Sequence, residues 1–345
     1  MQVNEDSEDR MFKKVKAAKA YLEHGDDLAG GLVPDDAVVI DAPSDAARPA
    51  IDAALDGKFE PAAELLRATR EARAWADRDL DVANLGRLAH KVPQWLDAWR
   101  ESDPDNPDLA VVDARRLVEQ AWEQRSHNDA SQVSEEQFAA FHETLEHATQ
   151  RIQQAVDGSP GDPVPWALAL RHARGTEADR DTFNGYLHAL ESTDPHHYGA
   201  RWEAMQYLCA KWFGSHEQMF AFAQASVDAA PRESRVQMLL LDAVLEHLAS
   251  DGSALAANRD RVEEAVTRAS GYLDANPDDG HHLTARTRNL LARVLFHLER
   301  HREAYEQLQA IGPYATSYPW GYWGDAREEF LTHRSHIVTL AAGAS

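Results

Sequence analysis

The sequence holds a single cysteine, Cys209, in 345 residues. No intramolecular disulfide can form, and a reducing compartment fits that usage. Positive charge is also scarce: 35 Lys and Arg stand against 58 Asp and Glu, a net charge of −23. Such a surface repels polyanions, so neither nucleic acid nor an anionic membrane is an expected partner. Long apolar runs are missing too. The richest stretch, Val236 to Leu248, falls short of the roughly 20 apolar residues that a membrane helix needs. The start, MQVNEDSEDRMFKK, is acidic and has no apolar core, which argues against a secretory signal; by elimination the expected location is cytoplasmic. There is no glycine-rich phosphate loop, no dinucleotide fingerprint, no G-x-S-x-G elbow and no H-E-x-x-H. The sequence therefore assigns no catalytic residue and no cofactor, and its lean is toward binding rather than catalysis.

What is present is helical pattern. Hydrophobic residues at 43% and charged residues at 27% are ordinary globular proportions, while the length exceeds what one compact core usually holds, so two domains or one elongated array are expected. From Ile51 onward apolar residues recur at three- and four-residue steps: Ala62, Leu65, Leu66 and Thr69; Phe138, Phe141, Leu145 and Ala148; Leu290, Leu291, Val294, Leu295 and Leu298. Prolines punctuate the pattern at Asp103-Pro104, Asp162-Pro163, Asp194-Pro195, Ala230-Pro231, Asn276-Pro277 and Gly312-Pro313. Proline lacks the amide proton and biases the preceding residue away from helical backbone, so each pair marks a boundary between helices. Pro195 to Pro231 and Pro277 to Pro313 are each 36 residues apart, the length of one helix–turn–helix repeat. A duplication supports the same reading. HHYGARWEAMQYLCAKWFGSHEQMF from His196 aligns without gaps on HHLTARTRNLLARVLFHLERHREAY from His281, an offset of 85 residues. These observations predict an all-α fold, a right-handed α-solenoid of tetratricopeptide-like helix pairs. Residues 1–50 form a mostly irregular N-terminal extension, 51–312 the repeat array, and 313–345 an aromatic loop with a C-terminal capping helix.

Within the extension, Arg10 to His24 reads as a short helix carrying Lys13, Lys14, Lys16 and Lys19, either solvated or a docking handle for an acidic surface. Prolines and glycines follow, and Ala37 to Ile40 reads as a short strand or extended clamp.

Three stretches carry a family resemblance: PQWLDAW at 93–99, GDPVPWA at 161–167 and KWFGSHEQMFAFA at 211–223. Together they resemble an actinobacterial branch of tetratricopeptide-like proteins classed as a domain of unknown function. The resemblance covers roughly Trp75 to Pro231 and implies a helical-repeat fold. It supplies no activity, ligand or catalytic residue.

The candidate sites are few. His196, His197, His281 and His282 occur as pairs just after proline turns. Histidine ligates divalent metals, but adjacent helical residues point about 100° apart and rarely share one ion, so capping and solvent contact are favoured. His297 and His301 have i,i+4 spacing, with a helix turn expected between them. His142, Glu143, Glu146 and His147 form i,i+4 pairs suited to surface salt links. In KWFGSHEQMF, Ser215 and His216 are adjacent rather than opposed across a fold, so Ser215 reads as an N-cap with Gln218 at the third helical position. Cys209 reads as a small core residue in mid-helix. PYATSYPWGYW at 313–323 is the densest aromatic run; it either seals the open end of a solenoid or forms a recognition pocket from Tyr314, Tyr318, Trp320, Tyr322 and Trp323.

The leading expectation is a scaffold for a protein or peptide partner, favoured electrostatically if basic. The alternatives are an enzyme or a metal- or cofactor-binding accessory protein using the His pairs and the aromatic loop, or a self-associating structural protein.

Overall fold

The computed structural model describes residues 30–125, 134–250 and 258–343. The basic helix expected at Arg10–His24 lies outside these residues. Among them the fold is all-α, with one two-stranded ladder. The chain divides into two compact units. One is Pro43–Leu239; the other combines the residues up to Ala42 with those from Leu240 onward.

The first unit is a run of helices: α1 (Arg48–Leu55), α2 (Glu60–Glu71), α3 (Trp75–Lys91), α4 (Gln94–Ser102), α5 (Pro107–Arg125), α6 (Glu135–Gly158), α7 (Val164–Gly175), α8 (Arg180–Thr193), α9 (Tyr198–Tyr207) and α10 (His216–Ala229). Their boundaries follow from local chemistry. Ser134 and Gln137 close a reciprocal capping box at the start of α6. Asp179 and Ser215 accept the third backbone N–H of α8 and α10. The Asp-Pro turns end α4 and α8 and open α7, and Pro163 sits at the N-cap of α7. On α6 the buried side chains Phe141, Leu145, Ala148, Ile152 and Ala155 form one stripe at three- and four-residue steps.

Consecutive helices pack in sequence: α5 lies along α6, α6 on α7, and α7 on α8. A second set of contacts joins every other helix, α3 with α5, α5 with α7 and α7 with α9, and α3 also meets α9. The core between them contains the fully buried Trp95, Trp99, Leu66, Leu85 and Leu96. Here also lies an ion cluster that no sequence motif signals. Arg78 is fully buried; it donates to Asp162 at 2.7 Å, to Asp108 at 2.8 Å and to the Leu66 carbonyl at 2.7 Å. Arg70 adds a bond to Asp108 at 3.0 Å.

The second unit contains α11 (Leu239–Ser250), α12 (Arg259–Ala275), α13 (His281–His297), α14 (His301–Ile311), the single turn α15 (Ser317–Trp320) and α16 (Ala326–Gly343). Its ladder pairs β1 (Val39–Ile40) in parallel with β2 (Tyr314–Ala315), with Val39 opposite Tyr314 and Ile40 opposite Ala315. Of the short strand or extended clamp expected at Ala37–Ile40, Val39–Ile40 form a strand after a 3-10 turn that ends at Ala37, and the partner strand comes from the aromatic run. Val39 N–H donates to Pro313 at 2.7 Å and Asp41 N–H to Ala315 at 2.9 Å. Arg327 of α16 donates to the carbonyls of Asp35 and Val38, and Arg334 to that of Val33. Its main chain makes most of these bonds, while the Asp41 carboxylate accepts from Ser317 N–H at 2.9 Å and Val38 is buried.

Two local expectations need correction. Cys209 is not in mid-helix: α9 ends at Tyr207, and Cys209 is buried in the turn that follows. In that turn Phe213 N–H returns to the Tyr207 carbonyl and Ser215 N–H to that of Leu208, each at 3.1 Å. The aromatic run is not one loop either, since it contributes β2 and the turn α15 before the last helix.

Candidate functional site

The aromatics singled out in the sequence all lie in the second unit. Trp320 is fully buried, and its indole N–H donates to Asn289 Oδ1 at 2.8 Å. Tyr314 is half-buried and stacks on His281, centroids 3.8 Å apart and planes 11° from parallel. Arg286 lies 3.9 Å above the Tyr318 ring and pairs with Asp242 at 3.2 Å. The Tyr322 hydroxyl donates to Glu246 at 2.6 Å. Trp323 is 39% exposed, its ring covered on one side by Arg293 at 4.1 Å. Trp320 is thus a core residue, and Trp323 is the member of the five presented to solvent.

The histidine pairs fall in different units and play different parts. His197 is the N-cap of α9, its Nδ1 accepting from Ala200 N–H at 3.1 Å, and with His196 it lines a small cavity. In the second copy Gly280 is the N-cap, and His281 and His282 are the first residues of α13. The His282 ring packs close over Gly280. His297 ends α13 and His301 begins α14, so the turn expected between them is present. Among the described residues no group of three or more His, Cys, Asp or Glu is placed to hold a metal ion.

A dense cluster of charged and aromatic side chains lies elsewhere, on α5, α7 and α9 of the first unit. Arg115 and Glu119 sit one turn apart on α5 and form an ion pair. Arg171 of α7 lies 3.5 Å from Glu119 and 3.8 Å from Glu203 of α9. Arg174, one turn further along α7, pairs with Glu203 at 3.1 Å. This alternating ladder ends against three half-buried tryptophans. The guanidinium of Arg174 is 5.0 Å from the Trp122 ring, 5.4 Å from Trp212 and 5.9 Å from Trp202. Arg125, at the end of α5, lies 5.1 Å from Trp212 and 5.6 Å from Trp122. The two rings shared by these cations meet edge to face at 5.6 Å. Arg125 forms no ion pair among the described residues, and both its burial and its repulsion from Arg174 disfavour its charge.

Burial raises the pKa of Glu119, but Arg115, Arg171 and Arg87 outweigh it and hold the carboxyl down to about 2. A carboxylate depressed in the fold stabilises above its unfolded value of 4.5 and loses that contribution as pH falls toward 2. The loss amounts to about 3 kcal/mol. Asp162 runs the other way: burial outweighs Arg78 and raises its pKa, so its contribution is present at low pH and fades as pH rises. Replacing Glu119 with Gln should flatten the fall in stability between pH 5 and 2, as read by urea unfolding. An acid limb identical to wild type would show that the ladder leaves Glu119 unperturbed.

Sequence reading missed this cluster because its members come from three helices and a turn. The visible signal is small: an Arg at each end of RHAR at 171–174, and tryptophans in ARWEAM and KWFG. The chain matches no protein-family model, no curated protein and no solved structure.

Proposed function

We propose that the chain is a protein-interaction scaffold of tetratricopeptide-like type, and that the Trp–Arg surface of α5, α7 and α9 holds its partner. The observation that carries this reading is that three half-buried tryptophans, the partly accessible Arg125 and the buried Arg174 converge on helices packed in succession. Trp and Arg dominate binding energy at interfaces, because each offers a large rigid face with polar donors at its edge. Proline-bounded helix pairs with a duplicated segment support the repeat assignment, although repeat folds host unrelated functions and the role rests on the surface itself.

The partner is a protein or peptide. The net charge of −23 favours a basic segment and speeds its encounter, whereas stacking on the tryptophans is indifferent to salt. Capture of a partner by tagged protein, followed by elution across rising salt, tests the electrostatic part. Recovery should fall steadily with ionic strength; a flat profile removes the basic-partner reading.

A further inference from the structure

A cavity of about 140 Å³ lies between the start of α3 and the turn leading into α9, several times the roughly 30 Å³ share of one water. Trp75 and Asp79 line it from α3, His196, His197 and Tyr198 from the α9 turn, and Arg235 from the 3-10 turn Arg235–Met238. Three of these side chains keep polar capacity that the described residues do not use. His197 is 3% exposed; because its Nδ1 accepts from Ala200, its proton sits on Nε2, a buried atom with no acceptor. Arg235 lies 4.7 Å over the Tyr198 ring and forms no ion pair among the described residues, and its Nε is buried without an acceptor there. Among the described residues the Asp79 carboxylate has no hydrogen bond or ion pair, feeling Arg115 and Arg171 only at longer range. It is pressed against Gly199, where a Cβ would lie 2.2 Å from its Oδ2. The other carboxylate on the wall, Asp194, accepts the His196 N–H at 2.9 Å.

A cation and an anion thus line the same small cavity without neutralising each other. Neither meets an opposite charge across the cavity, so a ligand carrying both charges would pair each of them there. Two aromatic walls, Trp75 and Tyr198, complete the enclosure. We propose that this cavity binds a small zwitterion of the α-amino acid class: its carboxylate meets Arg235 and His197 Nε2–H, its ammonium meets Asp79, and its side chain lies against Trp75 and Tyr198. The chemistry is complementary at both ends, and the volume admits one small organic molecule. This reading is independent of the scaffold role, since it uses neither the tryptophans nor the arginines of the interaction surface.

The test is calorimetric titration of the full chain with each of the twenty free L-amino acids, with acetate and methylammonium as single-charge controls. At least one amino acid should bind saturably with Kd below about 1 mM, and neither control should. Asp79→Asn and Arg235→Gln, both at partly accessible positions and checked for an unchanged circular dichroism spectrum, should each weaken that binding at least about tenfold. No binding by any amino acid up to about 10 mM overturns the proposal. Equal binding of acetate overturns it too, as does wild-type affinity in either variant.

Discussion

Replacing Arg78 with Met should destabilise the Pro43–Leu239 unit by about 3–5 kcal/mol, the largest effect expected of a single side chain here. The reason is what stays behind. Asp108 and Asp162 are 1% and 2% exposed, and Arg78 is the cation bonded to both. Arg70 still reaches Asp108 but not Asp162, and the Leu66 carbonyl loses one donor while keeping the Thr69 hydroxyl at 3.2 Å. Methionine fills most of the volume, so the loss comes from unpaired buried charge rather than from a void. Part of it should be recovered by also replacing Asp162 with Asn, which removes the stranded charge while preserving shape. Urea unfolding followed by tryptophan fluorescence reads both variants. A loss below about 1 kcal/mol for Arg78→Met would mean that water reaches the cluster.

Gly214→Ala should cost about 3 kcal/mol or more. A Cβ at this position would lie 2.0 Å from the Leu208 carbonyl oxygen and 2.5 Å from its carbon. Those are backbone atoms held by the Ser215 and Phe213 returns, so they cannot yield without opening the turn after α9. Trp212 rides on that turn, and the Trp122–Arg174–Trp212 stack should loosen with it. Gly185 is the internal control: it is exposed on α8 with nothing within 4 Å of an added Cβ. Alanine there should be neutral or stabilising by up to about 1 kcal/mol. Thermal unfolding of the two variants separates steric conflict from a generic response to lost glycine; equal melting temperatures would contradict the clash.

These two glycines show where sequence reasoning succeeds and stops. The KWFGSHEQMF stretch reads correctly at its far end, because Ser215 capping α10 is a local event spelled out within four residues. Its near end misleads. Leu208 and Cys209 continue an apolar pattern, so the break at Tyr207 is invisible until Phe213 and Gly214 fold back on it. The prolines mark helix boundaries for the same local reason, and Ala37–Ile40 reads as extended because prolines and glycines around it forbid a helix. Its pairing with Tyr314–Ala315 has no local signature, being fixed by a contact some 275 residues away in sequence.

The ion cluster and the Trp–Arg surface are hidden by the same physics. Arg78 meets Asp108 and Asp162 across separations of 30 and 84 residues. Each Arg or Asp alone looks like any charged residue on an amphipathic helix. The histidine pairs, by contrast, were visible through duplication, but identical letters fell on different cap positions. A two-residue shift in where α9 and α13 begin gives His197 a capping role and places its second nitrogen at the cavity, while His281 stacks on Tyr314.

The central claim is that the Trp–Arg surface of α5, α7 and α9 holds a protein partner. Its most direct test is quantitative low-salt capture from cell lysate with wild-type chain beside the double variant Arg125→Gln, Trp202→Leu, the two matched for folding by circular dichroism. Arg125 makes no ion pair among the described residues, so its loss should spare the fold. The account predicts a defined partner enriched by the wild type and reduced at least about tenfold by the double variant. Equal recovery of the same partner by both proteins would contradict it.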